Sequence, residues 1–131
     1  MKKILTNIGI IILGIIIGMI LNMGLIILGG IIFTPTENIE PMNAINWDLK
    51  YFIFPFLAHS VGTLSGSFLV SKLSRNSNII FPLIVGLYFL SGGIYMVTIL
   101  PAPMWFVFLD LIVCYIPMSL IGWRISKWKI N

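Results

Sequence analysis

Two side chains in this 131-residue chain bring acid–base chemistry into otherwise apolar runs: His59, the single histidine, and Asp110. A carboxylate inside a membrane span costs about 2.5–3.5 kcal/mol on insertion scales, and it is retained where it is paired or used. Imidazole is the side chain that changes charge around neutral pH, and a neighbouring carboxylate raises its affinity for a proton. His59 is therefore the natural partner of Asp110. The pair reads either as a clamp tying two helices together through a buried hydrogen bond or as a site for a proton or small ligand. A further reading starts the last span near Phe108 and uses Asp110 to cap it, since carboxylates favour helix N-termini.

Other polar groups belong to the same candidate site. At about 100° per residue, Thr63 shares a face with Pro55, His59, Gly62 and Gly66, while Ser91 and Tyr95 align with Tyr88 and Thr98 on the third apolar run. Asp110, Cys114 and Pro117 share a face on the fourth. These stripes are expected to point into the bundle. Counted at 1.5 Å per residue from the outer helix ends, Asp110 lies about 9 Å deep, His59 about 12 Å and Asn22 about 16 Å, with Ser91 and Tyr95 in that layer. An interhelical hydrogen bond is the simplest use for Asn22.

Several chemistries are excluded. The lone Cys114 cannot form an internal disulfide or a dithiol centre, and one histidine with one cysteine cannot build a transition-metal site within one chain. No GxxxxGK[ST], GxGxxG or HExxH occurs, and no serine has a His and acid partner in a soluble site. Neither a cofactor nor a metal is expected, nor an enzyme, although one acid, one histidine and a tyrosine leave an intramembrane lipid enzyme as a minor reading. The net charge of +4 is scattered at the ends of apolar runs rather than gathered into a patch, so no nucleic-acid partner is expected.

The elements that position these residues follow from composition. Hydrophobic residues make up 59% of the chain and charged residues 9%, with mean hydropathy +1.07, which defines a multi-pass membrane protein. The predicted fold is an all-α four-helix transmembrane bundle forming one membrane domain, 1–131, with spans at about 4–33, 49–73, 79–100 and 104–123 and an outer loop at 34–48. The first run is far longer than the roughly 7–15 residues of a signal-peptide core, so it reads as an uncleaved anchor that must tilt, protrude or unwind near Gly29-Gly30. Pro41 could open a short interfacial helix carrying Trp47. Pro101-Ala102-Pro103 is a turn short enough to make the third and fourth spans antiparallel neighbours, and Pro117 should kink the fourth. Gly14 and Gly18 on the first span, and Ala58, Gly62 and Gly66 on the second, are close-packing surfaces that could serve this chain, a second copy or another membrane protein.

Lys2, Lys3, Lys72, Arg75, Arg124, Lys127 and Lys129 fall on one side of the bilayer and Lys50 alone on the other. The positive-inside rule then puts both termini in the cytoplasm, with Trp123 and Trp128 among the basic residues at the membrane exit. That basic group reads as a topology signal and a contact for anionic lipids.

The run Phe54-Pro-Phe-Leu-Ala-His-Ser-Val-Gly-Thr-Leu-Ser-Gly66, with Leu100 to Trp105 and Asp110 to Pro117, resembles small four-span bacterial inner-membrane proteins of uncharacterised function. The resemblance covers nearly the whole chain and implies a bacterial inner-membrane location; it supplies no activity and no site residues. Small multidrug transporters and fluoride channels share the length but not the motifs: the membrane glutamate of the former and the Asn and Phe-rich filter of the latter are missing. The first expectation for function is a structural or accessory membrane subunit. The alternative is a small proton- or solute-binding transporter or channel using His59 and Asp110.

Overall fold

The computed structural model describes residues 1–74 and 78–128, so Arg75 and Lys129, two of the basic residues used for topology, lie outside the described residues. Its helices are α1 (Lys2–Ile32), α2 (Ile53–Leu73, entered through a 3-10 turn at Leu49–Phe52), α3 (Ile80–Ile99), α4 (Met104–Val113) and α5 (Ile116–Ser126). No strand occurs among the described residues. Four stretches, Lys2–Ile32, Leu49–Leu73, Ile80–Ile99 and Met104–Ser126, are long and apolar enough to cross a membrane. The chain is an all-helical bundle of four candidate spans.

α2 is the central column, and small residues bring the others against it. A Cβ on Gly66 would lie 2.6 Å from the Gly14 carbonyl oxygen, and one on Gly62 would lie 2.8 Å from that of Gly18. Only glycine lets α1 and α2 approach backbone to backbone in this way. Gly122 does the same for α5, where a Cβ would meet the Leu64 carbonyl oxygen at 2.5 Å. Ser67 of α2 donates to the Pro82 carbonyl of α3 at 3.3 Å. Around this column Val70, Val85, Phe89, Cys114 and Tyr115 form the main core cluster.

Four local expectations are corrected or narrowed. α1 does not unwind at Gly29-Gly30; it stays helical to Ile32, and at 1.5 Å per residue its 31 residues span about 46 Å. Gly29 is buried against Phe54 and stays within the helix. No helix follows Pro41, because the Asn43 side chain accepts from the Ile45 backbone N–H at 3.2 Å and competes with a helical ladder. The loop is instead held by Ala44 N–H to the Pro101 carbonyl at 2.8 Å and by the Trp47 indole N–H to the Glu40 carbonyl at 3.1 Å.

The third correction concerns α3, whose buried face is Pro82, Val85, Gly86, Phe89 and Gly93. Tyr88, Ser91, Tyr95 and Thr98 are exposed instead, Tyr95 by 63%. Ser91 and Thr98 donate to carbonyls of their own helix, Tyr88 at 2.7 Å and Tyr95 at 2.6 Å, so neither hydroxyl needs a neighbour. The slimmer face packs closer, and it wins. Fourth, the kink expected from Pro117 is present, and it falls in the turn before it, at Cys114–Tyr115. Pro117 has no N–H for the carbonyl four residues back, and its ring crowds that carbonyl, so the disruption appears in the preceding turn.

Candidate functional site

Asp110 is on α4 and 5% exposed; one oxygen is taken by α2 and the other by the turn between α4 and α5. Oδ1 lies 2.7 Å from Nδ1 of His59 on α2, and Oδ2 accepts from the Tyr115 hydroxyl at 2.9 Å. Asp110 sits mid-helix in α4, which starts at Met104, so it does not cap that helix. The carboxylate thus bridges two groups, accepting from the phenol at one oxygen and sharing a hydrogen bond with the imidazole at the other. In the low dielectric of a bundle such a network is stronger than in water, and it orients its members.

Tyr115 is the residue that sequence reasoning missed. On an unbroken helix two residues five apart point about 140° away from each other, so Tyr115 could not reach Asp110. The α4–α5 break redirects it. Its ring then stacks on that of His59, centroids 5.8 Å apart and planes 29° from parallel. The available signal was Pro117, which disturbs the turn containing Tyr115. Beside this network, Ser60 donates to Cys114 Sγ at 3.1 Å, and the thiol meets the Phe56 carbonyl at 3.6 Å. Cys114 is thus a fully buried packing residue.

About a fifth of the His59 side chain is exposed, and it faces a groove of about 440 Å³ between α1 and α3. Met19 and Asn22 form the α1 wall, and Ser91, Gly92, Tyr95 and Met96 the α3 wall. Phe89, Gly93 and Tyr115 complete the lining around His59. Tyr88 reaches across to Met19, its hydroxyl 3.8 Å from the sulfur. The groove therefore gathers His59, Asn22, Ser91 and Tyr95, with Asp110 behind the imidazole. Thr63 is fully buried and outside this lining; its hydroxyl has no hydrogen-bond partner among the described residues. Nor does the Asn22 amide oxygen, so the interhelical bond expected of it is not made. Ala58 is fully buried, and with Gly14, Gly18, Gly62 and Gly66 it is consumed in packing within the chain.

No three His, Cys, Asp or Glu side chains come together as metal ligands among the described residues. Comparison with known protein families, curated proteins and solved structures gave no match. The functional reading therefore rests on the geometry of this chain.

Proposed function

We propose that this chain is a small transporter or channel of the bacterial inner membrane, both termini cytoplasmic, that binds a proton or small solute at His59. The observation carrying this reading is the buried carboxylate of Asp110 holding an imidazole whose other side opens on a groove of about 440 Å³. A purely structural clamp gains nothing from such an opening, whereas a binding site requires one. Nδ1 is engaged with Asp110, so Nε2 is the ring atom left to take up a proton or meet a ligand. The orientation of the termini is supported by the basic residues Lys2, Lys3, Lys72, Arg124 and Lys127 at one end of the bundle.

Proton flux into proteoliposomes under an imposed pH gradient tests this. The native chain should exceed empty vesicles, and Asp110→Asn and His59→Ala should lose the excess while still inserting as folded protein. Native flux no greater than that of empty vesicles would rule out proton transport at His59. The accessory-subunit reading is favoured by a different observation: α1 meets the bundle along Gly14, Gly18 and Gly29 and leaves apolar residues such as Ile12, Ile16 and Ile20 exposed. Lipid, a second copy or another membrane protein would cover that face. Native-detergent purification followed by identification of stoichiometric partners tests it.

A further inference from the structure

We infer that the end of the bundle remote from His59 holds one anionic phospholipid per chain, its phosphodiester seated between Lys72 of α2 and Lys127 at the close of α5. A general attraction of basic residues to anionic lipid asks only for net charge, whereas this is a discrete site. It lies about 20 Å along α2 from His59, so it stands or falls apart from the groove. Three observations carry it.

The first is a cavity with its charges in place. Between the ends of α2 and α5 a pocket of about 250 Å³ is lined by Lys72 and serines on the α2 side and by Trp123, Lys127 and Trp128 on the α5 side. Nζ of Lys72 crosses to α5 and donates to the Ser126 carbonyl at 3.3 Å, while Nζ of Lys127 stands 3.8 Å over the Trp123 ring. An ammonium group has three donors, so both lysines keep some for a guest. The hydroxyls of Ser71, Ser74 and Ser126 already donate to backbone carbonyls, and recognition falls to the lysines.

The second is unbalanced charge. The chain has four Asp and Glu side chains, and all are elsewhere: Glu37, Glu40 and Asp48 in the loop before α2, at the opposite end, and Asp110 on His59. Among the described residues no carboxylate side chain pairs with Lys72 or Lys127. A helix C-terminus carries about half a negative charge, so the ends of α2 and α5 together offset about one of the two ammonium charges. The remaining positive charge matches the single negative charge of a phosphodiester, whose oxygens accept charge-assisted hydrogen bonds from lysine.

The third is depth. The pocket sits where the candidate spans Leu49–Leu73 and Met104–Ser126 finish, which is headgroup level in a bilayer. Trp123 and Trp128 in its wall are of the residue type that settles at that level. Leu73 and Ile125, next in sequence to Lys72 and Ser126, are exposed apolar side chains for acyl chains to cover. A phospholipid brings its phosphate and its chains to this place together.

Native mass spectrometry of the full chain released from detergent tests this, with dioleoylphosphatidylglycerol, dioleoylphosphatidylcholine, oleate and glycerol 3-phosphate as probes. Dioleoylphosphatidylglycerol should be retained at one molecule per chain and the others far less. Lys72→Gln with Lys127→Gln should weaken that retention at least about tenfold, the scale of losing hydrogen bonds to a charged group. Lys72→Arg with Lys127→Arg should keep it. Lys2→Gln with Lys3→Gln removes equal charge from the same end of the bundle, since α1 sets Gly14 against Gly66 and Gly18 against Gly62 and so runs antiparallel to α2. Screened at about 0.15 M ionic strength, that pair should change retention no more than about twofold. An equal loss from the α1 lysines would overturn the discrete site in favour of diffuse attraction. Equal retention of phosphatidylcholine would overturn the charge match, of oleate the phosphate, and of glycerol 3-phosphate the lipid as its source. No retained lipid would overturn the site altogether.

Discussion

Gly93 of α3 is packed against the hydroxyl of Tyr115: a Cβ at Gly93 would lie 2.5 Å from Tyr115 Oη and 2.7 Å from Cζ. That missing methyl group is what allows the phenol to sit beneath α3 and donate to Asp110. Gly93→Ala should therefore push Tyr115 off the carboxylate at a cost of about 1–3 kcal/mol, the usual range for an overpacked core. Thermal unfolding in detergent reads the stability change, and the ¹⁵N signal of His59 should move with it. Tyr115→Phe removes the donor without the clash and should reproduce the spectral change with the smaller stability loss.

The His59–Asp110 contact should show up as a coupling energy. His59→Ala strands a buried carboxylate and should cost about 3 kcal/mol, the low end for breaking a buried pair because the imidazole is partly exposed. Once Asp110→Asn has removed the charge, the same His59→Ala change should cost far less. A double-mutant cycle on unfolding free energy measures this, and additive losses would mean the two side chains act independently.

Contact between α1 and α2 depends on missing side chains and should respond to their return. Gly66→Val would drive a Cβ to 2.6 Å from the Gly14 carbonyl oxygen and 3.2 Å from Val85, neither of which can withdraw cheaply. A loss of about 3 kcal/mol, or failure to yield folded protein, is expected. Gly24→Val, where a Cβ meets nothing within 4 Å, should change stability by no more than about 0.5 kcal/mol.

Topology is accessible to labelling from outside the cell. Cys114 is fully buried, so Cys114→Ala supplies a background free of competing thiols. On it, Asn38→Cys in the loop before α2 should react with a membrane-impermeant maleimide in intact cells, and Lys127→Cys only after the membrane is opened. The reverse pattern would invert the chain and place the groove in the cytoplasmic half.

The chain's own order of residues determined the number of spans, their approximate ends and which few polar groups stand inside them. Apolar runs of this length have one economical structure in a bilayer, and helical periodicity marks which residues share a face. It also singled out His59 and Asp110, since an imidazole and a carboxylate in hydrocarbon have no better partners than each other. What periodicity cannot specify is how each helix is rotated against its neighbours. That rotation came from contact: glycines at Gly14, Gly18, Gly62, Gly66, Gly86 and Gly122 let particular faces close, and those contacts turned Tyr95 and Ser91 to the rim of the groove and Thr63 into the core. Tyr115 needed still more, because only a broken helix lets it turn back on Asp110. Spans are local properties of a sequence, whereas a site is set by which surfaces approach most closely once the spans have packed.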